Sequence, residues 1–212
     1  MGIKAVIFDF WGTLVENGVE PSPIRQAKFI LWLKMPFQDF VEKFERVFMT
    51  KKYESLMQAF EAVCSEFQIP AKDYQIENCV GMWNKNRLLA KPFEETIQVL
   101  EELKKKHKLV LLCNTDGFSV EPILEKFDMK KYFDIISLSY ETGLLKTDVQ
   151  SFEAILEKLK LEKEEVVMVG DSMESDILAA QKAGIKGILV DRRGMREYAD
   201  KIKNLTELKD KI

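Results

Sequence analysis

The chain has 212 residues, 46% of them hydrophobic and 32% charged, so it can bury one substantial core and still carry a second, smaller module. Its 32 basic against 35 acidic side chains leave a net charge of -3, which excludes the broad positive face of a nucleic-acid binder but allows a local pocket for a small phosphorylated molecule. One histidine excludes a multi-histidine metal centre, three cysteines without metal-type spacing exclude a disulfide framework, and no apolar run is long enough for a membrane span. A cytoplasmic protein, monomer or homodimer, is the expectation.

Ile3-Lys4-Ala5-Val6-Ile7-Phe8 reads as a buried central parallel strand, broken abruptly at Asp9 and followed by Phe10-Trp11-Gly12-Thr13-Leu14. Parallel sheets place their ligands at the carboxyl ends of their strands, so Asp9 is the residue against which the rest of the chain is read. The pattern then turns helical. Pro21-Ser22-Pro23 opens a predicted helix over 24–33, Pro36 opens one over 37–49, and apolar periodicity predicts two more over 53–67 and 73–89. Residues 15–91 are too many for an ordinary crossover, so they are expected to form a helical domain inserted into a core made of 1–14 and 92–212, with hinges near Val15–Gly18 and Ala90–Pro92.

From Pro92 onward strand and helix alternate. A helix over 93–106 leads to a strand over 109–113, ending in Asn114-Thr115-Asp116-Gly117; a helix over 120–127 leads to a strand over 134–139. Lys146 lies in the loop before a helix over 149–161, and the strand over 166–169 stops at Gly170-Asp171. A helix over 177–183, capped by Gly184, leads to a fifth strand over 187–191, and the tail from Met195 is predicted as one helix and a short closing segment. The only histidine, His107, sits in a basic run at a predicted helix C-terminus, where a cation is favoured. This is an α/β pattern: a doubly wound, Rossmann-like parallel sheet with an all-helical cap inserted after its first strand.

The polar turns of such a sheet converge on one edge. Asp9, the Asn114 turn, Lys146, and Asp171 with Asp176 beyond it should therefore share a site. Two or three carboxylates around one lysine are costly without a cation, and a hard divalent ion such as Mg2+, taking oxygen ligands, relieves the repulsion.

The same segments carry a resemblance. Asp9-Phe10-Trp11-Gly12-Thr13-Leu14, the Asn114 turn, Lys146 within Gly143-Leu144-Leu145-Lys146-Thr147-Asp148, and Gly170-Asp171-Ser172-Met173-Glu174-Ser175-Asp176 resemble, in order and spacing, the four motifs of the haloacid dehalogenase superfamily. The helical insert is similar to that superfamily's cap of the first type. Each motif alone is weak; four in order are specific. The resemblance implies a Mg2+-dependent phosphomonoesterase acting on a small phosphorylated metabolite. Asp9 would be the nucleophile, forming an aspartyl-phosphate that water hydrolyses. The metal would be held by Asp9, the backbone carbonyl of Trp11, and Asp171. Lys146 would neutralise the phosphate, the turns at Trp11, Gly12 and Thr13 and at Cys113, Asn114 and Thr115 would cradle it, and Asp176 would orient Lys146 or a metal-bound water.

Two positions depart from the pattern. Phosphatases of this superfamily usually carry a second Asp two residues after the nucleophile, as general acid and base, where this chain has Trp11; Asp116 and Glu174 are the carboxylates that could replace it. Cys113 stands where a Ser or Thr commonly binds phosphate. A metal-independent 2-haloacid dehalogenase, whose halide leaves without a proton, and a non-catalytic phosphate-binding regulatory protein are the alternative readings, and Asp171 argues against the first because without a metal it would repel Asp9. Plainer roles compete for some residues: Thr13 bonding to backbone, Asp116 and Ser172 as turn or cap formers, Asp176 as a favourable charge in a first helical turn. In the insert, Trp32, Trp83, Met35 and Phe37 are candidates to line the pocket, and Lys85 and Arg87 to meet an anionic substrate tail.

Overall fold

The protein is described by a computed structural model covering residues 2–70 and 72–212. The chain opens with strand β1 (Ala5–Phe8), all four residues without exposed surface. After a two-residue strand β2 (Val15–Glu16) come four helices, α1 (Pro23–Ile30), α2 (Phe37–Phe48), α3 (Leu56–Glu66) and α4 (Asp73–Leu89). Strand β3 (Lys91–Pro92) then returns antiparallel to β2, pairing Val15 with Pro92. The alternating part follows: α5 (Thr96–Lys104), β4 (Lys108–Cys113), α6 (Val120–Lys126), β5 (Ile135–Leu138), α7 (Ser139–Thr142), α8 (Gln150–Leu159), β6 (Val166–Gly170), α9 (Ala179–Lys182), β7 (Lys186–Val190) and β8 (Lys201–Ile202).

Six of these strands form one parallel sheet in the order β5-β4-β1-β6-β7-β8. The chain runs outward from β1 through β4 to β5, then returns to β6 on the other side of β1. Strand order therefore reverses beside β1, and the carboxyl end of β1 is the point where neighbouring loops part and leave a crevice. Alternation along each strand divides the core into two layers. Val6 and Phe8, Leu109 and Leu111, Val167 and Val169 pack with α5 and α6. Ala5 and Ile7, Val110 and Leu112, Val166 and Met168 pack with α8 and α9. Full burial of each such side chain contributes about 1.5–3 kcal/mol.

The helical segment has its own apolar cluster. Phe40, Phe44 and Phe48 recur every four residues along α2 and meet Phe60 and Trp83, with Phe48 4.8 Å from both rings. Leu145, from the sheet part of the chain, is buried in that cluster too.

The predicted helices lie where the apolar periodicity puts them, trimmed by a few residues at their ends. Helix α3 begins at Leu56 rather than at 53 because Ser55 caps it, its hydroxyl accepting from the Gln58 N–H at 3.2 Å. The tail is different from its expectation: β8 adds a sixth strand beside β7, and a 3-10 segment, Leu205–Asp210, closes the chain where a helix was predicted. Leu205 and Leu208 are fully buried against the α5 layer, so tertiary packing rather than helical periodicity dictates the tail. The segment after β6 starts earlier than predicted, as a wide π-turn over Met173–Leu178 that runs into α9. Such turns are frequent at functional sites because they re-aim one side chain without ending the helix. No helix among the described residues is long and apolar enough to cross a membrane.

Candidate active site

Asp9 follows β1 directly and is 5% exposed. Its two carboxylate oxygens are held separately, Oδ2 by the Thr13 hydroxyl at 3.0 Å and Oδ1 by the Lys146 ammonium at 2.6 Å. Thr13 therefore serves Asp9 and not the turn backbone. Lys146 also reaches Asp176 Oδ1 at 2.5 Å, while Asp176 Oδ2 accepts from the Ser172 N–H at 2.9 Å. The π-turn thus points Asp176 inward, with no exposed surface, and fixes Lys146 between two carboxylates.

Asp171 joins this cluster from the end of β6. Carboxylate oxygens of Asp9, Asp171 and Asp176 lie within 4.8 Å of one another. Two glycines make the approach possible. Gly12 has φ +77°, and a Cβ there would stand 2.5 Å from Asp171 Oδ2; a Cβ on Gly170 would stand 2.2 Å from Asp176 Oδ2. Burial, then the neighbouring Asp9 and Asp176, push the Asp171 carboxyl up to about 8. Burial raises Asp176 to about 6, with Lys146 pulling against it. Burial likewise disfavours charge on Lys146, but Asp176 and Asp9 outweigh it and hold the ammonium well above the ordinary lysine range. One ammonium against three carboxylates leaves the cluster short of positive charge. An all-oxygen donor set of this kind fits a hard divalent cation.

The cluster opens into a cavity of about 680 Å³. On the sheet side Asp9, Trp11, Asn114, Thr115, Lys146 and Asp171 to Asp176 line it; on the helical side α1 supplies Ile24 and Arg25, α2 Phe37, Glu42 and Glu45, and α4 Trp83 and Asn86. Arg25 lies over the Phe37 ring, 4.2 Å from its centroid. Trp32, 67% exposed, and Met35 do not border the cavity, and Arg87 instead donates 3.1 Å to the Phe118 carbonyl, joining α4 to the sheet part. Lys85, also expected near the substrate, is exposed on α4 outside the cavity lining.

Several expected phosphate contacts are otherwise engaged. Cys113 shares a face with Leu111, so strand alternation sends its thiol into the α5 and α6 layer, where it donates 3.4 Å to the Asn114 carbonyl and burial pushes it up. The Gly12 N–H bonds the Val15 carbonyl at 2.8 Å, and the Thr115 N–H the Ser139 hydroxyl at 2.9 Å. The Thr115 hydroxyl donates 3.2 Å to the Asp116 carbonyl. Asp116 does not face the cavity as a free acid: it accepts from the Trp83 indole at 2.9 Å, from Ser119 at 2.8 Å and from the Phe118 N–H at 2.8 Å. Burial raises it while those donors pull it back. Glu174 borders the cavity on an exposed turn. His107 stands outside the lining, its Nδ1 3.0 Å from the Ile3 carbonyl.

Three further residues act on the site without having been expected from the sequence. Glu45 reaches the cavity from α2, where it reads as an ordinary charge beside the buried Phe44. Its Oε2 accepts from Asn114 Nδ2 at 2.8 Å, and Asn114 Oδ1 accepts from the Lys146 N–H at 2.9 Å, so the amide is locked between helix and loop. Arg192, beyond β7, donates to the carbonyls of Gly12 at 3.3 Å and Thr13 at 2.8 Å, lies 3.4 Å over Phe93 and pairs with Glu95 at 2.8 Å. It clamps the turn that follows Asp9. Arg196 donates to the Asp171 carbonyl. The one clue to both arginines was their place after a strand's carboxyl end.

The family model for haloacid dehalogenase-like hydrolases matches residues 3–184. Among characterised relatives, the chain is 27% identical over 194 residues to a glyceraldehyde 3-phosphate phosphatase of Methanothermobacter thermautotrophicus, covering 89% of this chain and 86% of that one. It is 32% identical over 111 residues to an N-acylneuraminate-9-phosphatase of Rattus norvegicus, matching 52% of this chain but 45% of the relative's length. Among solved structures it is similar to a family enzyme from Bacteroides thetaiotaomicron in complex with magnesium and inorganic phosphate, at 21% identity and TM-score 0.60, covering 93% and 98% of the two chains. The L-2-haloacid dehalogenase of Xanthobacter autotrophicus is similar at 18% identity and TM-score 0.66, covering 97% and 96%. Both phosphatases and dehalogenases thus share this fold.

Proposed function

We propose, since the chain belongs to the haloacid dehalogenase-like hydrolases, that it is a phosphatase acting on a small phosphate monoester through Asp9. The observation that carries this reading is the placement of the Asp171 carboxylate beside that of Asp9. A halide-displacing enzyme gains nothing from a second carboxylate there, and without a cation it would suffer the repulsion. A phosphatase gains a place for a cation.

Asp9 and Asp171 would hold Mg2+, together with the Trp11 carbonyl; when bound, the ion neutralises charge on the phosphate and draws it toward Asp9. Asp9, oriented by Thr13, attacks phosphorus, and the bond to the alcohol oxygen breaks. Lys146 offsets the charge gathering on Asp9 and the phosphate, as a compact ammonium held in place by Asp176. The helical segment 15–91 acts as the cap over a core of 1–14 and 92–212, closing on the β2–β3 ribbon, excluding water and choosing the substrate. The similarity to phosphatases of small phosphorylated molecules supports this substrate class. A monomer or homodimer at work in the cytoplasm fits it.

The experiment compares p-nitrophenyl phosphate and 2-chloropropionate, each with Mg2+ and with EDTA, in wild type and Asp9→Asn. Phosphate release that needs Mg2+ and falls by roughly a thousandfold or more in the variant is expected. Chloride release insensitive to EDTA would replace this reading with the dehalogenase one.

A further inference from the structure

Trp11 offers the leaving group only a weak indole N–H, Asp116 has its carboxylate taken by Trp83, Ser119 and Phe118, and Glu174 sits on an exposed turn where no hydrogen bond among the described residues holds its carboxylate. We infer that Glu45, on the helical wall, is the general acid and base of this site. The inference rests on the phosphatase reading above.

Its position is built rather than incidental. The next residue, Arg46, makes two bonds to Asp148, at 2.7 and 2.8 Å, and Asp148 belongs to the loop that carries Lys146. Three residues beyond, the Met49 carbonyl accepts from Ser139 at 2.5 Å. The C-terminal end of helix α2, immediately beyond Glu45, is therefore pinned to the sheet part of the chain. The Lys146 N–H fixes the Asn114 amide so that its NH2 group faces Glu45. Asn114 can only donate to Glu45 Oε2, which directs any proton on the carboxyl to Oε1. Among the described residues Oε1 has no partner, and Glu45 borders the same cavity as Asp9 and Trp11.

The surroundings suit a group that must hold a proton and then release it. Burial in the cavity wall raises the carboxyl to about 7; Lys146 and the Asn114 bond pull it down, and Asp176 and Asp9 push it up. Glu42 and Arg46 are the charged neighbours on its own helix. A value near neutrality lets one residue act in both directions.

The two steps balance. As Asp9 attacks phosphorus, the bond from phosphorus to the alcohol oxygen breaks, and that oxygen takes the proton from Glu45 Oε1 and leaves as the alcohol. Glu45, now a carboxylate, removes a proton from the water that attacks the aspartyl-phosphate. The phosphorus bond to Asp9 breaks, returning Asp9 as a carboxylate, Glu45 as an acid and phosphate as product.

The test uses Glu45→Gln, which keeps the acceptor for Asn114 but cannot carry the proton, and Glu45→Asp as a conservative rescue. Both are assayed with p-nitrophenyl phosphate, whose leaving group departs unprotonated, and with phenyl and propyl phosphate, whose leaving groups need a proton. In the Asp9 attack step Glu45→Gln should lose roughly a hundredfold or more on propyl phosphate and far less on p-nitrophenyl phosphate, and lose the alkaline limb of that step's pH profile; Glu45→Asp should recover part. Independently of turnover, carboxyl-carbon NMR of glutamate-labelled wild type should show one side chain titrating near neutrality that is absent in Glu45→Gln. Equal losses on all three esters in the Asp9 attack step, or no such resonance, would overturn the role of Glu45 while leaving the phosphatase reading standing. A wild type inactive on every ester would overturn that reading, and this one with it.

Discussion

The cavity has two walls made in different ways. The sheet wall is assembled from the ends of β1, β4 and β6, where Asp9, Asn114 and Asp171 each directly follow a strand paired on both sides, and from the segments beyond that bring in Lys146 and Asp176. Lys146 is buried in it, gripping Asp9 and Asp176 at 2.6 and 2.5 Å, with Asp171 crowded beside them. The helical wall carries its groups on α1, α2 and α4, whose apolar cluster takes in only Leu145 and Phe118 from the sheet part and is joined to it by polar ties such as Arg46 to Asp148, Trp83 to Asp116 and Asn114 to Glu45. A rigid wall with concentrated charge suits the reacting atoms, and a separately packed wall on few ties suits opening, closing and substrate choice.

That contrast can be broken from either side. The largest effect should follow Lys146→Met, which strips the only ammonium from the carboxylate cluster: breaking a buried pair in this way destabilises by about 3–5 kcal/mol, and turnover should be lost with it. Urea unfolding at pH 8 and a p-nitrophenyl phosphate assay check this, and unchanged values in both would mean the pair is incidental.

A smaller effect should appear as a pH dependence of the sheet wall. Asp171 goes from 3.8, its ordinary value, to about 8 in the folded protein, so between those limits the native state binds the proton more tightly than the unfolded chain does. Stability without cation must therefore fall as pH rises from about 4 to about 8, on the order of a few kcal/mol in total. Saturating Mg2+ should flatten the slope, and Asp171→Asn should flatten it without metal. Urea midpoints at pH 5 and pH 8 measure it; a stability that rises over this range would contradict the crowding of carboxylates.

The smallest effect should come from the helical wall. Arg46→Ala removes a half-exposed bidentate pair and should cost about 1 kcal/mol or less in stability, with KM raised several-fold and kcat less affected, because α2 loses a tie to the loop of Lys146. Steady-state kinetics separate the two, and a loss confined to kcat would place Arg46 with the chemistry instead.

Glu45 and Asp9 mark the limits of what a chain of residues reveals. Asp9 was legible because an apolar run ending in an acid, followed by Gly and Thr, is a local pattern whose physics is local: a buried strand must surface, and in a parallel sheet it surfaces at the ligand edge. Alternation of strand and helix, the helical insert, and the convergence of Asp9, Lys146, Asp171 and Asp176 follow from the same short-range regularities. Even Cys113's orientation was available, since it lies two residues from Leu111 on a strand.

What only the tertiary structure decided is which polar groups are already engaged and which remain free. Thr13 bonds to Asp9, the Gly12 and Thr115 N–H groups bond inside the protein, Asp116 is taken by a tryptophan 33 residues away in the chain, and Glu45 is aimed by an asparagine 69 residues away. Periodicity reports the face a residue lies on; a hydrogen-bond partner is chosen by three-dimensional proximity between distant segments, and no spacing along the chain encodes it.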